Sequence, residues 1–124
     1  MIIIDGITYD IPVAAIRRKA EMLDKYAERT EDGKLKRELI GVYFNYELQL
    51  GRTTNTTEYA SLWTKLTEAV EFHEVTVPDE DAAPFTFTAY FAGVSDELRK
   101  ETAAKTFWQN LTVNFIAQEP AIVP

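Results

Sequence analysis

The sequence predicts an α+β fold that is mostly antiparallel sheet, arranged as a β-sandwich or a partly open barrel with one flanking helix. Two alternating apolar runs near the end of the chain, FTFTAYF and FWQNLTVNFIA, are typical of strands. Seven phenylalanines, six tyrosines and two tryptophans supply the large apolar faces that sheets use well. A chain of 124 residues is the usual size of one domain, so we expect a single domain over residues 1–124.

The first element is predicted to be a β-hairpin. Ile2 to Asp5 and Ile7 to Ile11 flank the pair Asp5-Gly6, which supplies the positive backbone dihedrals of a tight turn. The next segment, Val13 to Arg29, is ambiguous between helix and strand. Its apolar residues fit a helical stripe slightly better than an interrupted alternation, so composition alone favours a helix there.

A turn and a long strand should follow. Thr30-Glu31-Asp32-Gly33-Lys34 is predicted to be a turn or exposed loop because it combines polar residues with glycine. Alternating apolar residues from Leu39 to Leu50 then predict a strand that ends at Gly51. Gly41 inside it suggests a bulge or bend.

The predicted helix runs from about Asn55 to Ala69. Asn55 is a good N-cap, and Glu58 stands at the spacing that lets its carboxylate reach back to the cap amide. One helical face is apolar and should pack on a sheet; it carries Tyr59, Leu62, Trp63, Leu66 and Val70.

The remaining chain is predicted to form strands joined by polar connections. Val75 and Val77 suggest a strand that pairs with FTFTAYF as an antiparallel hairpin across the acidic PDEDAAP. The stretch GVSDELRKETAAKT, with Arg99, Lys100 and Lys105, resembles a mixed-charge mobile loop or short helix. The final strand is apolar on both faces, Trp108 included, and the tail from about Glu119 should be extended and loosely held.

Charge and composition disfavour several classes of protein. A net charge of −7 makes specific nucleic-acid binding a poor expectation, because phosphate contacts need basic surfaces. Without cysteine the chain has no disulfide, thiolate metal site or cysteine nucleophile. The opening MIII is too short for a signal-peptide core, and no apolar run approaches about 20 residues. These observations predict a cytoplasmic product without a membrane segment.

Candidate chemistry is sparse. His73, the only histidine, lies between Glu71 and Glu74 and is expected to be a surface histidine among carboxylates. Asp79-Glu80-Asp81 lacks the spacing of a Ca²⁺ loop and is expected to be a solvated turn. Neither a G-x-S-x-G elbow nor a phosphate-binding glycine loop occurs. We therefore predict no catalytic, cofactor-binding or metal-binding residues.

Several segments together resemble a known class of proteins. IRRKAEMLDKYAERTEDG, RELIGVYFNYELQLG, YASLWTKLTEAVEFHEVTVPD and FWQNLTVNFIAQEP, in this order, are similar to small tail-associated structural proteins of phages and prophages of Gram-positive bacteria. The resemblance implies a tail-tube-like or distal-tail-like architecture that assembles into rings, and an extended rather than helical Val13 to Arg29. It offers no catalytic residue to transfer.

The expected function is therefore structural assembly without enzymatic activity. The partners would be other copies of the chain or other tail proteins, in the bacterial cytoplasm during assembly and then in the virion tail. The predicted subunit contacts are Arg17, Arg18, Lys19, Thr30, Glu31, Asp32, Gly33, Lys34 and Trp108. Tube, terminator, initiator and baseplate roles all remain open. The alternatives are a small ligand-binding β-barrel whose aromatic residues line a pocket and an enzyme that uses His73.

Overall fold

The computed structural model describes residues 2–78 and 83–124, which form seven strands and one helix. In chain order these are β1 Ile2–Ile4, β2 Ile7–Tyr9, β3 Val13–Arg29, β4 Leu35–Leu50, α1 Thr56–Leu66, β5 His73–Pro78, β6 Pro84–Glu101 and β7 Thr106–Ala117. The predicted acidic turn Asp79-Glu80-Asp81 lies outside the described residues.

All strands belong to one antiparallel sheet in the order β2-β1-β5-β6-β7-β4-β3. The terminal strands β2 and β3 are not paired with each other in the described chain, so the sheet is open. The predicted fold class, a mostly antiparallel sandwich or partly open barrel with one flanking helix, is confirmed in this open form.

The N-terminal hairpin is confirmed. Ile4 pairs with Ile7, and the two turn residues have positive φ, 51° at Asp5 and 80° at Gly6. Both values lie in the left-handed region that an Asp-Gly turn tolerates. Strand β1 then pairs with β5, which joins the hairpin to the middle of the sheet.

Val13–Arg29 is a strand, so the slight preference of composition for a helix is wrong. It pairs with β4 over its whole length, from Val13 opposite Leu50 to Arg29 opposite Leu35. Such a continuous ladder outweighs a weak helical stripe, since tertiary pairing overrides local propensity.

Strand β4 starts at Leu35, four residues before the predicted start. The expected irregularity at Gly41 is present: Leu23 pairs with Gly41 but Asp24 pairs with Leu39, which leaves Ile40 as the extra residue of a bulge. Pairing with β7 covers only Tyr46 to Gln49. Residues 19–45 therefore extend beyond the β4–β7 ladder as a two-stranded hairpin, which we call the arm.

The helix starts as predicted and ends three residues early. The Asn55 side chain accepts a hydrogen bond from the Glu58 amide, 3.0 Å away. The Glu58 carboxylate does not reach back to the cap; it accepts from the amide of Asp10 instead, 3.0 Å away. The helix ends at Leu66, where the Thr67 hydroxyl donates to the carbonyl of Trp63. Val70 consequently lies outside the helix and is exposed.

The predicted mobile loop or short helix between the last two strands is wrong. Strand β6 continues to Glu101, so Arg99 and Lys100 are strand residues, and only residues 102–105 turn the chain into β7. The resulting β6–β7 hairpin is irregular at three places and contains two left-handed residues, Gly93 at φ 63° and Asn110 at φ 54°. Exposed strands and loops both carry mixed charges, so composition alone does not distinguish a strand from a loop here.

The core lies between α1 and the sheet. The helix buries Tyr59, Leu62 and Leu66, and the largest fully buried side chains of the sheet include Tyr46 and Phe115. The other core residues come from nearly every part of the sheet except the arm: Ile2, Ile4, Tyr9, Ile11, Leu48, Leu50, Val75, Val77, Ala89, Leu111 and Val113. Burial of this apolar face is what holds the helix on the sheet.

The C-terminal segment lies against the base of the arm. The amide of Ala121 donates to the carbonyl of Val42, and the amide of Val42 donates to the carbonyl of Ile122, each at 2.9 Å. Pro120 covers Gly41 so closely that a Cβ added to the glycine would lie 2.5 Å from the proline Cβ. The expectation that this tail is loosely held stays a prediction.

No helix in the described ranges is long and apolar enough to cross a membrane.

Candidate functional site

The predicted contact residues Arg17, Arg18 and Lys19 lie near the base of the arm. They face Glu47, Tyr46 and Asn45 of β4 in the antiparallel register. Lys19 also reaches diagonally to Glu47, with 2.5 Å between Nζ and Oε1. This hydrogen bond lowers the pKa of the partly exposed Glu47 carboxyl group from its ordinary value. Successive strand residues point to opposite faces, so Arg17 and Arg18, just outside the arm, place charge on opposite faces of the sheet.

The predicted turn Thr30 to Lys34 forms the tip of the arm. Gly33 has φ 83°, and the Thr30 amide donates to the Lys34 carbonyl at 2.8 Å. The Thr30 hydroxyl donates to Asp32 and lowers the pKa of that carboxyl group. The Arg29 guanidinium donates to the Gly33 carbonyl at 2.6 Å. The tip is thus a turn held by its own hydrogen bonds, and none of its residues belongs to the buried core.

The arm carries exposed apolar residues as well as paired charges. Asp24 and Arg37 form an ion pair at 2.9 Å, and Lys25 and Glu38 approach to 4.0 Å. Between and beyond these pairs five large apolar side chains are exposed: Met22, Leu23, Tyr26, Leu35 and Ile40. Single exposed apolar residues are ordinary, but a two-stranded projection with this many suggests a surface used for contact.

Trp108, the remaining predicted contact, lies away from the arm. It stands on β7 in the β6–β7 hairpin, where it pairs with Leu98. Together with the nearby turn and strand residues it faces α1 across a groove of about 580 Å³. The structure therefore divides the predicted contacts between two regions and does not bring Trp108 to the arm.

The groove is closed at one point by a hydrogen bond from helix to hairpin. The Tyr59 hydroxyl donates to the Asp96 carboxylate at 2.8 Å. Burial, and then the Asp96 hydrogen bond, raise the pKa of Tyr59. Sequence patterning points to neither residue, since Tyr59 belongs to the apolar helix face and Asp96 lies in the stretch predicted to be a mobile loop or short helix. No strong alternation marks this stretch as a strand, because Val94, Asp96 and Leu98 fall on the same strand face.

His73 is buried, so the predicted surface histidine is wrong. Its side chain lies against the Phe91 ring, with centroids 4.6 Å apart and planes 2° from parallel. Its side-chain hydrogen-bond partner is Asp5, not the sequence neighbours Glu71 and Glu74. The distance between His73 Nδ1 and Asp5 Oδ2 is 2.6 Å. Its Nε2 is buried without a hydrogen-bond partner among the described residues. A catalytic imidazole needs this second nitrogen to reach a reacting group, so the geometry favours a structural role.

Asp5, Glu68 and His73 form the one group of metal-capable side chains found in the described ranges, with ligand atoms within 4.8 Å of one another. The Lys65 ammonium lies beside both carboxylates, 2.7 Å from Glu68 and 3.7 Å from Asp5. The hydrogen bond to Glu68 raises the pKa of Lys65 above its ordinary value. A lysine thus already supplies the positive charge that a metal ion would bring, and the cluster fits an ion-pair network better than a metal centre.

Comparison with known proteins adds no relative: no family model, curated protein or solved structure matches this chain.

Proposed function

We propose that this protein is a non-enzymatic structural subunit of a phage or prophage tail, which assembles with itself or with other tail proteins into a ring or tube. The proposal combines the segment resemblance with one structural observation. Strand β3, 17 residues long, is the end of the sheet, and its outer edge has no partner strand among residues 2–78 and 83–124.

An unpaired edge of this length favours association. Each edge strand presents a row of backbone N–H and C=O groups that can pair with another chain. Natural monomers usually shorten, cover or twist such edges. Here irregularities interrupt β3 at its start and again from Leu23 to Tyr26, and the stretch between keeps a regular register. That regular stretch is long enough for a neighbouring strand.

The arm adds side chains to this backbone edge. At its base Arg17, Arg18 and Lys19 are three consecutive basic residues of β3, which we call the basic strip. In an acidic protein their charges suit contact with the acidic surface of a neighbouring copy. The turn from Thr30 to Lys34 extends the contact beyond the sheet, and the exposed apolar residues of the arm would be covered there. The proposed interface uses no reactive group.

Light scattering behind size exclusion over a wide concentration range, with negative-stain imaging, tests the proposal. We expect mass to rise with concentration and rings or short tubes to appear. The variant Arg17→Glu/Arg18→Glu should keep the circular dichroism of the wild type and shift the protein toward monomer. Lys100→Glu/Lys105→Glu, with the same change in net charge on the β6–β7 hairpin, is the matched control.

Three outcomes would count against parts of the proposal. A strict monomer at every concentration rejects self-assembly and leaves only docking on another tail protein. Assembly that survives the arginine reversals rejects the basic strip as a contact. Equal loss of assembly in both double variants assigns the effect to net charge rather than to the arm.

A further inference from the structure

The groove between α1 and the β6–β7 hairpin has the size of a small-molecule site. Its volume of about 580 Å³ lies within the range of roughly 300 to 1,000 Å³ typical of ligand pockets. Trp63 on the helix and Trp108 on β7 both line it, and Trp108 is 39% exposed. These are the only two tryptophans in the chain.

The polar lining of the groove is rich in oxygen. Asp96 accepts one hydrogen bond from Tyr59, and a carboxylate has room for further donors. Four threonines, at positions 53, 56, 64 and 106, add hydroxyl groups to the lining. Lys105 is the one basic residue among the described lining residues, so the two charges of the groove balance.

This chemistry disfavours several ligand classes. A phosphate-bearing ligand would need more than one cationic donor, and Asp96 would repel it. An acyl chain would leave the carboxylate and the hydroxyls without hydrogen-bond partners, which is unfavourable in a water-free contact. A flat neutral ligand with apolar faces and many O–H donors satisfies both the indoles and the oxygens.

We propose that this groove binds a neutral saccharide, with the C–H faces of sugar rings stacked on Trp63 and Trp108 and sugar hydroxyls donating to Asp96. The rings offer apolar faces to the indoles, and the hydroxyls provide the donors that an ionised carboxylate needs. This site does not depend on assembly through the arm. A proline-rich peptide, the other class of ligand that uses aromatic grooves, offers few donors to Asp96 and fits less well.

Intrinsic tryptophan fluorescence tests the site directly, since both fluorophores lie in the groove. Cellotetraose, chitotetraose and maltotetraose would be titrated to millimolar concentration, with isothermal calorimetry as a second readout. At least one tetrasaccharide should give a saturable change in emission and heat. A proline-rich decapeptide serves as the competing ligand.

Variants locate the binding. Trp108→Ala should weaken affinity about threefold to tenfold, the worth of one aromatic stacking contact, and Asp96→Asn should weaken it as well. Trp63→Phe and Trp108→Phe each leave one reporter and a flat ring, so both should retain most of the affinity. Tyr90→Ala, an exposed aromatic of β6 outside the groove lining, should leave affinity unchanged.

The proposal is overturned if no tetrasaccharide binds to the folded protein, or if only the peptide binds. It is also overturned if saccharide affinity is the same in Trp108→Ala, Asp96→Asn and the wild type, because binding would then lie elsewhere. Should Trp108→Ala fail to fold, the comparison of Asp96→Asn with Tyr90→Ala still decides the question, since only the first should lose affinity.

Discussion

His73 donates a hydrogen bond through Nδ1 to the carboxylate of Asp5, with 2.6 Å between the two atoms. The imidazole is the donor because an aspartate carboxylate is ionised at neutral pH and can only accept. This hydrogen bond lowers the pKa of Asp5. The other Asp5 oxygen accepts from the Glu74 amide at 2.9 Å, and the Asp5 amide donates to the Glu74 carbonyl at 2.8 Å. One turn residue thus fastens the N-terminal hairpin to the start of β5.

Replacing Asp5 by asparagine should lower the free energy of unfolding by about 1 to 2 kcal/mol, because the buried imidazole loses its charged acceptor. Asparagine tolerates the positive φ of this position, so the turn itself is preserved. Urea unfolding gives the measurement. Asp10→Asn, which removes an exposed carboxylate of the same region, is the control and should change stability little. Equal effects of the two substitutions would contradict the role assigned to the Asp5 pair.

The same pair predicts a pH dependence. The pKa of Asp5 lies below its ordinary value of 3.8 in the folded protein. At pH values between the folded and the unfolded pKa, the unfolded chain therefore binds more protons than the folded protein. The contribution of Asp5 is therefore complete above the unfolded value and is lost as pH falls through the folded value. We expect the stability difference between wild type and Asp5→Asn to shrink as the medium is acidified below about pH 4. A difference that stays constant in acid would reject this linkage.

Gly41→Ala should destabilise the protein by about 1 to 3 kcal/mol, as overpacking does. The new methyl group would lie 2.5 Å from Cβ of Pro120 and 2.9 Å from the Ile122 carbonyl oxygen. The partner experiment is the same substitution in a chain that ends at Glu119. There the methyl group meets no tail, and alanine should cost nothing or stabilise the strand. A Gly41→Ala variant as stable as the wild type would mean that the tail moves aside freely.

Tyr59→Phe should loosen the β6–β7 hairpin, because the Tyr59 hydroxyl is the donor that joins the helix to Asp96. We expect a loss of about 1 kcal/mol in global stability and faster amide exchange in the hairpin near Trp108. Tyr90→Phe removes an exposed hydroxyl from β6 and is the control. Exchange that is faster throughout the sheet, rather than in this hairpin, would show that Tyr59 supports the core as a whole.

Local signals in the sequence predicted the local structure well. Asp5-Gly6 fixed a turn because few residues tolerate two positive φ angles in succession, and Asn55 fixed the helix start through its side-chain oxygen. Each signal acts within a few residues, so no knowledge of the remaining chain was needed.

The errors arose where structure depends on distant pairing. Val13–Arg29 is extended because β4 lies beside it, and β6 stays extended to Glu101 because β7 returns along it. Exposed strands with mixed charge carry neither a strong alternation nor a clear loop composition. The burial of His73 and its hydrogen bond to Asp5 were equally hidden, since β1 and β5 lie far apart in the sequence.

Ile3 pairs with Thr76 and Tyr46 pairs with Phe115, so two ladders of the sheet join strands that are synthesised at different times. While the chain leaves the ribosome, β3 and β4 can pair as soon as both have been synthesised. The pairing of β1 requires β5, and the pairing of β4 with its second neighbour requires β7. Such late, non-local ladders fold slowly and leave strand edges open in the meantime. Until β5 and β7 have been synthesised, the hairpin of β3 and β4 lacks the strands that anchor it in the finished sheet.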